Sequence, residues 1–193
     1  MTETVLLSKP TDEHAVLTAP DTIRLERWLP GPAERVWRYL TEPDLRAQWL
    51  AGGTMALHKD GPMELVFHNA QLSSADDDPP PAGFEGASRE HLMQGRIIEC
   101  DPPRQLAYLW FHDATAPSEV RFELAPRGER VLLTVTHTRI ASREAMLSFT
   151  PGWHTHLAML RARLSGDMPP PFWRTFASLR AEYAKRLAQG EQG

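Results

Sequence analysis

Two histidines one residue apart, His154 and His156 in GWHTHLAML (152–160), are the first residues of this 193-residue chain whose types and spacing suggest chemistry. An H-x-H pair on a strand turns both imidazoles to one side and can hold a metal ion. On a helix, at roughly 100° per residue, Trp153, Leu157, Leu160 and Leu164 share one face within about 40°, His156 sits at its edge and His154 lies about 200° away. That spacing predicts a helix, so the two rings do not converge on one ion. Tyr108, in the apolar run QLAYLWF, is the second candidate. With His156 it could present a hydroxyl and an imidazole to a ligand or a proton, yet no carboxylate stands beside either in the sequence. His58, His68, His91, His112 and His137 are scattered over separate elements. The chain has no H-x-x-x-H, C-x-x-C, G-x-S-x-G or phosphate-cradling glycine loop, and no Ser/His pairing is recognisable from spacing. WLAGG reads as a turn that widens a cavity mouth, since no Gly-Lys-Ser/Thr follows it. These patterns predict no catalytic residue, no metal and no cofactor.

Composition narrows the partners. A net charge of -4 with mixed signs gives no positive field for nucleic acid or for an anionic membrane surface. The start, MTETVLLSKPTDEH, lacks the basic and apolar regions of a signal peptide, and no run of about 18 apolar residues exists. The expected location is the cytoplasm. Cys100 is the only cysteine, which rules out an internal disulfide, and as the end of GRIIEC it reads as a packing residue. A 41% hydrophobic content is enough for one domain with a real core.

The elements that must position these side chains follow from periodicity. Residues 1–20 are mixed and read as a loosely held leader. TIRLERWL alternates as a strand; Val36, Trp37 and Leu40, then Leu45, Trp49 and Leu50, mark two short helices. Residues 63–68, 91–100, 105–111, 118–125 and 130–138 are rich in branched and aromatic residues and read as strands. Asp101-Pro102-Pro103 and Pro126-Arg127-Gly128 supply hairpin turns. Between residues 71 and 89 lies an acidic Pro/Gly-rich segment, too polar to pack, which reads as a long mobile hairpin tip or lid. A second apolar stripe, Phe172, Phe176, Leu179, Tyr183 and Leu187, follows a break at 166–171 and either packs on its own domain or buries against a second copy in a homodimer.

This order, strand, two short helices, about six antiparallel strands and a long helix, has few physical solutions. The predicted class is α+β with a helix-grip architecture, a curved antiparallel sheet around a long C-terminal helix with an appended helix. The expected parts are a leader (1–20), the helix-grip domain (21–165) and a Pro-rich turn with the appended helix (166–193). Such a sheet often leaves an apolar cavity. Strand parity sets Leu106, Tyr108 and Trp110 inward, with Val120, Phe122 and Leu124, and with Val131, Leu133 and Val135. Met63, Leu65 and Phe67 from another strand, Trp153, His156 and Leu157 from the helix, and Trp49 complete the wall. The predicted ligand-binding set is therefore Trp49, Met63, Leu65, Phe67, Leu106, Tyr108, Trp110, Phe122, Leu133, Trp153, His156 and Leu157. The alternative is that these side chains simply fill the core.

The runs IRLERWLPGPAERVWRYLTEPDLRAQWL, GRIIECDPPRQLAYLWF, VRFEL with RVLLTVTHT, and GWHTHLAMLRARL resemble the START/Bet v1-like superfamily, and within it bacterial proteins of the activator of Hsp90 ATPase homologue type. The resemblance spans about residues 22–164. It implies the helix-grip fold and three classes of function: a carrier of a small hydrophobic molecule, a module acting on a chaperone, or a cyclase or dehydrase using the cavity. The first is the reading preferred here, without catalysis. The 71–89 insertion and residues 165–193 depart from the superfamily pattern.

Overall fold

The computed structural model describes residues 14–72, 76–111 and 116–190. Residues 1–13 of the expected leader, residues 73–75 of the acidic segment and His112 lie outside the described residues. The chain order is β1 (Val16–Ala19), β2 (Thr22–Pro30), α1 (Ala33–Thr41), α2 (Pro43–Arg46), β3 (Pro62–Phe67), α3 (Asn69–Leu72), a 3₁₀ turn (Glu85–Ser88), β4 (His91–Asp101), β5 (Gln105–Trp110), β6 (Ser118–Arg127), β7 (Arg130–Thr138), α4 (Arg143–Ser165) and α5 (Phe172–Gly190).

Alternation makes β2, which buries Ile23, Leu25 and Leu29 and turns Arg24 to solvent. The strands form one antiparallel sheet in the order β1-β2-β7-β6-β5-β4-β3. The β4–β5 turn closes with Arg104 N–H on the Asp101 carbonyl at 2.7 Å, and the β6–β7 turn needs Gly128 at φ 59°. Register sets the inward rows: Leu106, Phe122 and Val135 stand side by side across β5, β6 and β7, with Tyr108, Val120 and His137 in the next row. The inward parity read from the sequence holds for all nine of those strand residues, each buried. Helix α4 packs across β2 and against α5, and α1 reaches β6 and β7, so the fold is the helix grip. Among the described residues no helix is long and apolar enough to cross a membrane.

Three features differ from the sequence reading. The end of the leader is ordered: Val16–Ala19 pairs with β2 as an edge strand, and Ala15 N–H donates to the Tyr183 hydroxyl at 2.7 Å. Helix α4 begins at Arg143 instead of near Gly152. Ser142 caps it by accepting from Ala145 N–H at 3.1 Å, and the helix runs through Pro151, which has no N–H to give to the preceding turn. Part of the acidic segment packs, because its one aromatic side chain, Phe84, meets Phe176 with ring centroids 4.9 Å apart. Of the two alternatives for the appended stripe, the first is seen: α5 lies on α4 of its own domain, burying Phe172, Trp173, Phe176 and Tyr183.

Candidate functional site

The twelve residues expected to line a cavity separate into two groups. Trp49, Met63, Leu65, Leu106, Tyr108, Phe122, Leu133 and Leu157 are at most 2% exposed and sit in solid core. The Trp153 ring of α4 packs among them, with centroids 5.6 Å from both Trp110 and Phe122. Phe67, Trp110, Trp153 and His156 instead line a cleft of about 730 Å³ at the β3–β4 end of the sheet. That volume falls within the range of small-molecule sites, about 300–1,000 Å³.

The other walls come from segments that periodicity did not join to the site. Helix α4 contributes Ala145, Phe149 and Gly152; α5 contributes Phe172, Trp173, Phe176 and Arg180; the segment before β4 contributes Phe84 and Ala87; Met93 and Asn69 complete the floor. The α5 stripe was visible as Phe172 and Phe176, but nothing in its spacing tied it to the sheet. Phe84 was hidden by the polar residues around it. Polar bonds and ring contacts hold α5 and this segment together. Asp77 accepts from the backbone N–H of Trp173 at 2.8 Å and of Arg174 at 3.1 Å, capping a helix that follows three prolines with no capping residue of its own. The Arg180 guanidinium lies 5.1 Å over the Phe84 ring, next to the Phe84–Phe176 contact. Residues 76–88 thus form a strap across the cleft mouth.

His156 is the polar group most clearly fixed inside the cleft. Its Nδ1–H donates to the Trp49 carbonyl at 2.7 Å, which sets the tautomer and leaves Nε2 as a lone-pair acceptor. Phe172 packs on the ring at 5.0 Å between centroids and Phe67 at 6.3 Å. Burial lowers its pKa to about 4, so it stays neutral at physiological pH. The turn that carries Trp49 is braced by Arg46, 1% exposed, which donates to the carbonyls of Thr41, Ala51, Gly52 and Gly53 at 2.7–3.1 Å. WLAGG is therefore a cradle for a buried guanidinium, and Gly53 fits there at φ 87°, where a Cβ would lie 2.4 Å from the Glu64 carbonyl.

A Ser/His pair that spacing could not reveal lies beside the cleft. His137 Nε2 is 2.7 Å from Ser118 Oγ, and His137 Nδ1 accepts from Trp153 Nε1–H at 3.0 Å. That donor fixes the proton on Nε2, so the imidazole donates to the serine and cannot take its proton. Burial lowers the His137 pKa to about 3, consistent with a neutral structural relay joining β6, β7 and α4. Strand parity with Val131, Leu133 and Val135 was the available signal for His137. His154 points away from the cleft: its Nδ1 is 2.9 Å from the Tyr183 hydroxyl on α5. The two histidines of H-x-H therefore serve different faces, and among the described residues no three His, Cys, Asp or Glu side chains converge as a metal site would need.

Known proteins resemble this chain over most of its length. A protein encoded by gene BPP1335 of Bordetella parapertussis is 44% identical, with 91% of each chain covered and a TM-score of 0.76. CalU16 of Micromonospora echinospora is 23% identical over 84% of each chain, TM-score 0.61, and protein MLL2253 of Mesorhizobium loti is 22% identical over 75% of this chain and 96% of its own, TM-score 0.58. These last two show the fold alone. No protein of curated function matches. The family described as activator of Hsp90 ATPase homolog 1-like protein matches residues 30–165, from the start of the α1 turn to the end of α4, and the chain belongs to that family.

Proposed function

We propose that this protein binds a small, largely apolar molecule non-covalently in the cleft between the β3–β4 end of the sheet, α4, α5 and the strap. The observation that carries this reading is a space of about 730 Å³ among Phe67, Trp110, Phe149, Trp173 and Phe176, beside inward strand residues that are buried in the core. Apolar surface held open to water is unfavourable by roughly 25 cal/mol per Å², and an apolar occupant would recover that free energy. Family membership is compatible with a ligand-binding fold. Proton-transfer chemistry has less support, because His156 is a neutral acceptor of low basicity with no carboxylate bonded to it.

Gly152 offers a direct test. It lies in α4, lines the cleft, and a Cβ built on it meets nothing within 4 Å. Gly152→Phe should fill the cleft while leaving the fold intact, since a non-glycine residue also suits a helix interior better by up to about 1 kcal/mol. The parent should bind pyrene, read by its emission, and Gly152→Phe should lose that binding with an unchanged or higher Tm. A parent that does not bind pyrene, or a stable variant that binds it equally well, would sink the proposal.

A further inference from the structure

A second space, unlike the apolar cleft, lies where α4, α5 and β2 meet. His154, Ala158 and Arg161 recur at helical spacing along α4 and, with Arg27 of β2 and residues of the first turns of α5, surround a pocket of about 350 Å³. It shares no lining residue with the cleft. Its charge has one sign: Arg27, Arg161 and Arg174 line it, and none of its described lining residues is acidic. Arg27 stands in the inward row of β2 with Leu25 and Leu29, is 3% exposed and gives an Nη1–H to the Glu26 carbonyl at 2.8 Å. Too buried to touch an occupant, it supplies a fixed positive charge beneath the floor. Arg161 is half-buried in the wall. Arg174 stands at the rim, 3.2 Å from Asp78, with both side chains more than half exposed. An ion pair so exposed is worth little, so Arg174 can exchange Asp78 for an occupant. Thr175 and Ser178 add hydroxyl donors. The field is felt at His154, whose pKa is lowered to about 3 by burial first and then by Arg27, His14 and Arg161, while Glu182 opposes them.

We propose that this pocket binds a small dianion, a phosphate group free or carried as the monoester of a small molecule, held by Arg161, Arg174 and the Thr175 and Ser178 hydroxyls over the Arg27 charge. Cations gathered around a partly dehydrated space repel one another, and an anion among them turns that repulsion into attraction. Guanidinium forks match a phosphoryl group with paired N–H donors, and two negative charges draw more from this field than the single charge of a carboxylate. The volume lies at the low end of small-molecule sites, about 300–1,000 Å³, and Ala158 and Leu179 give an organic tail an apolar wall. This site goes beyond the binding role of the cleft and stands without it.

Calorimetric titration of the full chain at about pH 7.5 and low salt, with inorganic phosphate, phenyl phosphate and benzoate, tests the assignment. Phenyl phosphate should bind about tenfold more tightly than benzoate, which keeps the ring but carries one charge. Arg161→Gln should weaken it about tenfold and Ser178→Ala, at an exposed position that leaves folding intact, about threefold. In protein with ¹⁵N-labelled histidine, the His154 ring resonances should move on adding phenyl phosphate while those of His156 stay in place, a readout that needs no substitution. Phenyl phosphate binding above inorganic phosphate would assign a monoester, and equal affinity would assign free phosphate; either sustains the site. Failure of both phosphates to bind would overturn the proposal. Benzoate binding as tightly as phenyl phosphate would overturn the dianion class. Binding that leaves His154 unmoved and is indifferent to Ser178→Ala would mark adventitious association elsewhere and overturn the assignment to this pocket.

Discussion

The two ends of one sheet use the same kinds of side chain to opposite effect. At the β2–β7–β6 end, Ile23, Leu133, Phe122 and Leu157 are at most 2% exposed and pack in the hydrophobic core. At the β3–β4 end, Phe67, Trp110 and Phe149 are no less apolar, yet a cleft remains. The difference lies in the cover. A long helix with Leu157 and Leu160 at its centre presses on the filled end, whereas the open end is roofed by α5 and a strap held by one aromatic contact and a set of polar bonds from Asp77 and Asp78. Aromatic content alone therefore does not locate a cavity; the manner in which the covering element is anchored does.

The sharpest way to break this comparison is to truncate one ring at each end. Phe122→Ala removes a ring that touches Tyr108 and Trp153 in solid core, and should destabilise the protein by on the order of 3–5 kcal/mol. Phe84→Ala removes a half-buried ring from the strap and should cost about 1 kcal/mol or less while altering pyrene affinity. Urea denaturation of both variants gives the two numbers. Equal losses would mean that the strap is as much a part of the core as the sheet.

Acid should weaken the whole molecule next most strongly. His137 and His156 are buried neutral, with pKa lowered to about 3 and about 4 from the unfolded value of 6.5. Between those limits the unfolded chain binds protons that the folded chain does not, so stability is full above about pH 6.5 and falls as pH drops toward 4. Each histidine can add a slope of up to about 1.4 kcal/mol per pH unit, and carboxylates contribute little above pH 5. Urea midpoints at pH 7, 6 and 5 should decline steadily. A flat series would show that these rings are not buried in their neutral form.

Much of the fold was legible because β-strand alternation and the Pro and Gly turns are local signals. The strands from 63 onward, the turns at Asp101 and Gly128 and the inward parity of Leu106 through Val135 all follow from residues within a few positions of one another. The site was only partly legible. Phe67, Trp110, Trp153 and His156 were named because they lie on regular elements, but Phe84, Asn69 and Trp173 come from irregular or appended segments whose location depends on long-range contacts. Pro151 concealed the first turns of α4, where Ala145 and Phe149 lie. The bond from Asp77 to the Trp173 amide spans 96 positions, and no spacing rule connects such residues.

That same bond should give a smaller, more local effect. Asp77→Ala removes the cap of α5 and should cost about 1 kcal/mol, within the usual range of about 0.5–2 for a lost cap. Asp77→Asn keeps an acceptor oxygen and should recover most of it. Hydrogen exchange at Trp173 and Arg174 would locate the change at the first turn of α5, and pyrene should dissociate faster from Asp77→Ala. Faster exchange spread evenly through the sheet would contradict the separation of the two ends.

The smallest expected effect is the most discriminating for the placement of the cleft. Tyr108 stands 1% exposed in the row formed with Val120 and His137, outside the cleft lining, and its hydroxyl makes no hydrogen bond to any described residue. Burial raises the pKa of that hydroxyl, so it stays protonated, and the nearby Arg46 guanidinium only partly offsets the rise. Tyr108→Phe keeps the ring and its contacts with Phe122 and Trp110 and removes only the oxygen. Stability should change by less than about 0.5 kcal/mol, because no bond is lost and the desolvation of a hydroxyl is avoided. Binding of pyrene should be unchanged. A loss of pyrene affinity would mean that the occupant reaches past Trp110, and that the boundary between the two ends lies one strand row deeper than the side chains place it.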